Sequence, residues 1–89
     1  MKILLLTSKS CYPCERTLRE LKKMPHLDIE MCERPNPAFE KYNVISTPTL
    51  IFDTGEQVHK LSGAHMIKKM EVEGLISDIL DSQNDENDV

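Results

Sequence analysis

Cys11 and Cys14, two cysteines separated by two residues, are the part of the sequence best suited to chemistry. The apolar run within residues 2–7 predicts a buried strand, and the spacing of apolar residues after it predicts a helix over residues 12–24. This order places Cys11 at the helix start, where unpaired backbone N–H groups and the positive end of the helix dipole stabilise a thiolate. Such placement lowers the pKa of a cysteine thiol from about 8.5 to roughly 3.5–7.5. We therefore predict that Cys11 attacks disulfides, and that Cys14, almost one helical turn later and more buried, resolves the mixed disulfide.

A structural zinc site is the alternative interpretation of this spacing. Such a site needs two ligands beyond Cys11 and Cys14. The other candidates do not pair with one another at the spacing of a zinc knuckle; they are Cys32, His26, His59 and His65. A Cys-x-x-Cys pair after a strand and at the start of a helix is typical of redox sites, so we favour thiol chemistry. A zinc or iron–sulfur module, with Cys11 and Cys14 supplied by two chains, is kept as a second hypothesis.

Thr47 and Pro48, at the start of a predicted strand, form a second unusual feature. A proline at this place removes a hydrogen-bond donor from the sheet. A cis Thr47–Pro48 bond would explain it, because the chain would then bend beside Cys11. An ordinary trans turn explains it as well and is the more frequent geometry, so the residues alone leave both alternatives open.

The remaining pattern predicts one α/β domain with a mixed four-stranded sheet flanked by helices, in the order β-α-β, short helix, β-β-α. Gly74, inside the last predicted helix, indicates close packing at that point. The domain is expected to span residues 1–80, followed by an acidic, frayed tail at 81–89. The predicted strands are 2–7, 26–32, 49–52 and 57–61, and the predicted helices are 12–24, 38–42 and 65–80.

Composition excludes several classes of function. The net charge is −4, basic residues form no block, and the chain has two Phe, two Tyr and no Trp, which argues against nucleic-acid binding. The longest apolar run, residues 3–6, is far shorter than the roughly 20 residues of a membrane span, and no signal-peptide cleavage site follows it. We therefore expect a cytoplasmic monomer without a cofactor. In that compartment three cysteines favour redox or metal chemistry over structural disulfides.

Over about residues 2–80 the chain resembles the thioredoxin superfamily. Three segments carry the resemblance: Cys11-Tyr12-Pro13-Cys14; residues 35–52, which look like the thioredoxin segment leading into the cis-proline loop; and Gly55-Glu56 with Ser62-Gly63-Ala64, which are similar to the final hairpin and the glycine beside the active site. The resemblance implies a thioredoxin-like fold and a thiol–disulfide oxidoreductase. It also implies roles for eight residues: nucleophile Cys11, resolving thiol Cys14, cis-proline Pro48, substrate-groove residues Thr47, Gly63 and Ala64, and rim residues Tyr12 and Pro13.

The sequence also departs from both main branches of this family. It has glutaredoxin size and Leu5 where thioredoxins carry a buried Asp. Residues 63–65, Gly-Ala-His, replace the two glycines and Asp with which glutaredoxins hold glutathione. The expected partners are therefore protein disulfides and thioredoxin reductase rather than glutathione, with ribonucleotide reductase as a candidate client. A third hypothesis is a non-catalytic adaptor that keeps the fold for binding, although the two intact cysteines argue against it.

Overall fold

The architecture is an α/β sandwich, seen in a computed structural model that describes residues 1–84. The sheet has four strands in the order β2-β1-β3-β4. The predicted fold class and the predicted element order are confirmed. The elements are β1 (Lys2–Thr7), α1 (Tyr12–Leu21), β2 (Ile29–Glu33), α2 (Ala38–Lys41), β3 (Thr49–Asp53), β4 (Val58–Ser62) and α3 (Lys69–Asn84).

The sheet is mixed, as the element order predicts. Strand β1 pairs with β2 in parallel and with β3 in antiparallel orientation. The hairpin of β3 and β4 completes the sheet. Because β1 and β3 are central, the chain that leaves β1 and the chain that enters β3 are held side by side, and these two segments carry the cysteine pair and Pro48.

Both faces of the sheet are buried in separate apolar clusters. Ile3 and Leu5 of β1 lie in one cluster, while Leu4 and Leu6 lie in the other, because successive side chains of a strand point to opposite faces. The first cluster contains side chains of α1 and α3, and the second contains side chains of α2. A run of consecutive apolar residues in β1 is what a strand covered on both faces requires.

Helix α1 differs from its prediction in length and in phase. It ends at Leu21 rather than at residue 24, and two i→i+3 hydrogen bonds tighten the chain that follows. Its buried residues are Cys14, Thr17 and Leu21. The apolar spacing from Cys14 through Leu18 to Leu21 predicts that Leu18 is buried, but Leu18 is 37% exposed. Thr17, three residues after Cys14 and on the same side of the helix, is buried in its place.

Strand β2 begins at Ile29, later than predicted, because residues 24–27 form a turn closed by Leu27 N–H donating to the Met24 carbonyl. Leu27, Ile29 and Met31 alternate with polar residues in the sequence, which predicts that Met31 is buried, yet its side chain is 50% exposed. An edge strand has a neighbour on one side only, so its apolar residues are covered incompletely. Cys32 pairs with Leu6 and is buried in the second cluster, away from the face predicted to be apolar.

Helix α3 begins at Lys69, later than predicted, and continues to Asn84, so the predicted boundary at residue 80 falls inside it. The Lys69 N–H donates to the Glu20 Oε1 atom of α1 at 3.0 Å, which satisfies one of the unpaired donors of the helix start. Within the described residues nothing lies within 4 Å of a Cβ built on Gly74, so the predicted close packing there is wrong. Residues 85–89 of the predicted tail lie outside the described residues, and no helix of residues 1–84 is long and apolar enough to cross a membrane.

Candidate functional site

The start of α1 is formed by Cys11, which is its N-cap residue. Its backbone is extended, with φ −112° and ψ 99°, and its Sγ atom accepts a hydrogen bond from the Cys14 backbone N–H at 3.2 Å. Ser10, just before it, has a φ of 55°, which turns the chain from β1 into the helix. Ser8 and Ser10 precede the helix and have hydroxyls of the kind that often cap helices, but the capping residue is Cys11. The sulfur of Cys11 therefore occupies the place where a helix start stabilises negative charge.

Cys11 and Cys14 form a disulfide, with their Cα atoms 5.2 Å apart. The two cysteines differ in access, because Cys11 is half-buried whereas Cys14 is only 4% exposed. Cys11 is therefore the cysteine that an incoming thiol or disulfide can reach more easily, while Cys14 lies among the buried residues of α1. This asymmetry suits a division into an attacking and a resolving cysteine.

The loop before β3 lies against this disulfide. The Thr47 Oγ1 atom is 3.7 Å from the Cys11 Sγ atom and 2.8 Å from the Ser8 Oγ atom. The Thr47–Pro48 peptide bond is cis, and Pro48 is buried. A second cis bond, Arg34–Pro35, has no counterpart in the sequence predictions.

The end of β4 is joined to the same loop. The Gly63 N–H donates to the Pro48 carbonyl at 2.9 Å, and Gly63 has a φ of +91°. Ala64 follows it and is half-buried. On the helix side Tyr12 and Pro13 are exposed beside the disulfide, Tyr12 by 63% of its surface. The structure thus connects Cys11, Thr47, Pro48 and Gly63 through direct contacts, whereas contact of any of these residues with a substrate stays a prediction.

Ser8 is the polar residue at this site that the sequence predictions missed. It follows β1 directly, but its partner Thr47 is 39 residues away in the chain. A serine after a strand has no sequence feature that identifies such a contact. Its position could be found only once the β1–α1 loop and the loop before β3 were placed together.

Cys32 does not extend this site. Cys32 is buried in the second apolar cluster, and burial, followed by the nearby Glu30 carboxylate, raises the pKa of its thiol. Within residues 1–84 no group of three or more His, Cys, Asp or Glu side chains is arranged to hold a metal ion. A closed zinc site within one chain, which takes four ligands, therefore has no donor set in this part of the chain.

Comparison with known proteins points to one class. No protein-family model and no curated protein matches the chain. Among solved structures, thioredoxin from Aeropyrum pernix aligns with a TM-score of 0.65 and 26% identity, over 85% of this chain and 73% of that one. Thioredoxin O2 from Arabidopsis thaliana, in its oxidized state, aligns with a TM-score of 0.55 and 20% identity, over 86% of this chain and 72% of that one.

Fold and site together define the class of this protein. The mixed sheet with its flanking helices is shared with the two thioredoxins. The Cys11–Cys14 disulfide stands at the N-terminus of α1. The chain is a member of the thioredoxin superfamily, and it carries a Cys-Tyr-Pro-Cys redox site.

Proposed function

We propose that this chain is a thiol–disulfide oxidoreductase that reduces disulfides of other proteins through Cys11 and Cys14. The observation that supports it most is the asymmetric disulfide: the reachable Cys11 sulfur caps a helix, and the buried Cys14 lies one turn later. A structural disulfide has no need of one reachable sulfur at a helix N-terminus, whereas an exchanging disulfide does.

The reaction consists of two thiol–disulfide exchanges. In the reduced chain the Cys11 thiolate attacks one sulfur of the client disulfide, so a mixed disulfide forms and the other client sulfur leaves as a thiolate that takes up a proton. Cys14 then loses its proton and attacks the Cys11 sulfur, which forms the Cys11–Cys14 disulfide and releases the second client thiol. Two electrons pass to the client, and a dithiol reductase must return them to the oxidised chain.

The client segment is proposed to lie in extended form along the loop before β3. Thr47, Gly63 and Ala64 would line this groove, with Tyr12 and Pro13 at its rim. Two apolar side chains nearby in sequence are strongly exposed: Tyr12 is 63% exposed, and Ile45, two residues before Thr47, is 88% exposed. Such a surface favours a client segment with apolar side chains, as burial of apolar area drives most protein association.

Thioredoxin reductase is the proposed source of electrons, and a reducing compartment such as the cytoplasm is the proposed location. The proposal on the reductase rests on residues 63–65, Gly-Ala-His, in place of the two glycines and Asp used to hold glutathione. Ribonucleotide reductase is a candidate client by the same resemblance.

The test is reduction of a protein disulfide, such as that of insulin, followed by consumption of NADPH. One assay contains thioredoxin reductase, and the other contains glutathione with glutathione reductase. We expect turnover with thioredoxin reductase, loss of turnover in Cys11→Ser, and a trapped mixed disulfide in Cys14→Ser. Cys32→Ala is the matched control. The Cys32 thiol is buried in the second apolar cluster, and its loss should leave turnover unchanged.

Three outcomes would change this proposal. Turnover with glutathione alone would replace thioredoxin reductase by glutathione as the electron source. Retained turnover in Cys11→Ser would remove Cys11 as the nucleophile. Absence of turnover in both assays, with stoichiometric zinc or iron in protein purified without chelator, would favour a metal-binding module.

A further inference from the structure

Two hydroxyl oxygens from two segments form a line of polar contacts that ends at the Cys11 sulfur of a third segment. Ser8 Oγ, after β1, lies 2.8 Å from Thr47 Oγ1, and Thr47 Oγ1 lies 3.7 Å from Cys11 Sγ at the start of α1. Ser8 is three residues before Cys11 in the chain but contacts it only through Thr47, which lies in the loop before β3. All three residues are half-buried, so solvent screens the line only in part.

The protons of this line can be counted. A hydroxyl has one proton to donate and two lone pairs that accept. Thr47 can therefore donate either to Ser8 or to Cys11, but not to both. When Cys11 is a thiolate, its sulfur only accepts, so a hydrogen bond to it requires the Thr47 proton. The Ser8–Thr47 hydrogen bond then persists only if Ser8 is the donor.

We propose that Ser8 is a positioning residue for Cys11: its hydroxyl donates to Thr47 Oγ1 and so leaves the single Thr47 proton free to stabilise the Cys11 thiolate. This inference deepens the proposed function, because it names what sets the thiolate content of the same site. The thiolate then has two donors, the Cys14 backbone N–H at 3.2 Å and the Thr47 hydroxyl. Hydrogen bonds in a chain polarise one another, so a Ser8 donor also makes Thr47 a stronger donor.

The opposite proton order is the competing explanation. If Thr47 donates to Ser8, the pair only ties the β1–α1 loop to the loop before β3, and Cys11 keeps the Cys14 N–H as its donor. In that case Ser8→Ala lowers stability but leaves the ionisation of Cys11 as it is. The two explanations therefore differ in a pH profile, which a purely structural contact would not move.

The experiment measures the rate of Cys11 alkylation by iodoacetamide in the reduced full chain, from about pH 4 to about pH 10, with mass spectrometry to identify the modified cysteine. The variants are Ser8→Ala, Thr47→Val, the double variant, and the conservative Thr47→Ser. Thr54→Val is the matched control, because its hydroxyl donates to the Gln57 carbonyl in the β3–β4 turn, away from the cysteines. Urea unfolding of each variant records stability separately.

We expect Thr47→Val to slow alkylation about three- to tenfold at pH values below the pKa of Cys11, where the rate follows the thiolate fraction; this is somewhat below the effect of a fully buried hydrogen bond to a charge. Ser8→Ala should slow it about two- to fivefold, and the double variant should match Thr47→Val, because Ser8 acts only through Thr47. All rates should converge at high pH, where every thiol is ionised. Thr47→Ser should restore the profile, and Thr54→Val should leave it unchanged.

Two results would overturn the proposal. One is a Ser8→Ala profile equal to that of the unmodified chain, whether or not stability falls, which would leave only the structural contact. The other is a double variant in which the slowing of alkylation equals the two single effects combined, which would show that Ser8 acts on Cys11 without Thr47. The alkylation profile needs no client and no reductase, so it tests the role of Ser8 even if the chain reduces no protein disulfide. A failure of this proposal and a failure of the proposed function are therefore recognised separately.

Discussion

Replacement of Gly63 by Ala is the substitution whose cost can be divided most clearly. Gly63 has a φ of +91° at the end of β4, and its N–H donates to the Pro48 carbonyl at 2.9 Å. A side chain at this position meets two obstacles. One is the left-handed backbone, which L residues rarely adopt, and the other is the His65 ring, whose Cε1 and Nδ1 atoms would lie 2.6 and 2.8 Å from the new Cβ.

The backbone cost should dominate. An L residue in the left-handed region loses about 1–2 kcal/mol. The His65 side chain is exposed, so its ring can rotate away from the new methyl group, and this adds only about 0.5 kcal/mol. Gly63→Ala should therefore lower the free energy of unfolding by about 1.5–2.5 kcal/mol, the sum of these two costs.

The chain offers a matched control for this division. Gly55 has nearly the same φ, +90°, and among the described residues nothing lies within 4 Å of a Cβ built there. Gly55→Ala therefore measures the backbone cost alone. Urea unfolding of the oxidised protein should be compared for Gly63→Ala, Gly55→Ala and the double variant Gly63→Ala with His65→Ala, each against its parent chain.

Two results would contradict this division of the cost. A loss below about 0.5 kcal/mol for Gly63→Ala would show that the left-handed backbone carries no cost at this position. Recovery of most of the loss by His65→Ala would show that the contact with the ring, rather than the backbone, determines the cost.

Three further predictions concern the helices. Gly74→Ala should raise the free energy of unfolding by about 0.5–1 kcal/mol in a urea titration, because a methyl group in α3 meets open space; a loss of stability would contradict the helical geometry there. Thr17→Val should leave stability unchanged or raise it by about 1 kcal/mol in the same assay, because Thr17 Oγ1 is a buried oxygen without a hydrogen-bond partner in the described part of the chain; a clear loss would reveal such a partner. Glu20 has its pKa lowered from 4.5, first by the Lys69 backbone N–H and then by Lys23, so its contribution to stability is present above pH 4.5 and is lost as the pH falls through the lower folded value. Thermal unfolding of Glu20→Gln, which keeps an oxygen acceptor, should therefore depend less on pH below 4.5 than that of the unmodified chain, and equal slopes would contradict this.

The elements that could be predicted from sequence are those with strong local signals. The uninterrupted apolar run of β1 indicates burial on both faces, and Leu5 and Leu6 are fully buried there. The spacing of Cys11 and Cys14 after that strand is enough to predict their disulfide chemistry, because sequence neighbours determine both the strand and the helix start. The fold class follows from the order of these elements.

What the sequence did not predict depends on contacts between distant segments. Helix α3 begins at Lys69, later than its predicted start at residue 65, and the Lys69 N–H is bonded to Glu20, a residue of another helix that local sequence does not reveal. The choice of Thr17 over Leu18 as a buried residue of α1 depends on how the helix is rotated against the sheet, and apolar character alone does not determine that rotation. The contact of Ser8 with Thr47 joins two loops that only the assembled sheet brings together.

The placement of Cys32 bears on which cysteines can take part in the proposed exchange. Cys32 is 3% exposed in the second cluster, and the raised pKa of its thiol keeps it protonated at neutral pH. A protonated, enclosed thiol exchanges slowly with disulfides. We therefore expect that Cys32 does not compete with Cys14 for the Cys11 sulfur, so that oxidation yields the Cys11–Cys14 bond each time. In the proposed reaction such a chain would alternate between two defined states, without a build-up of scrambled isomers.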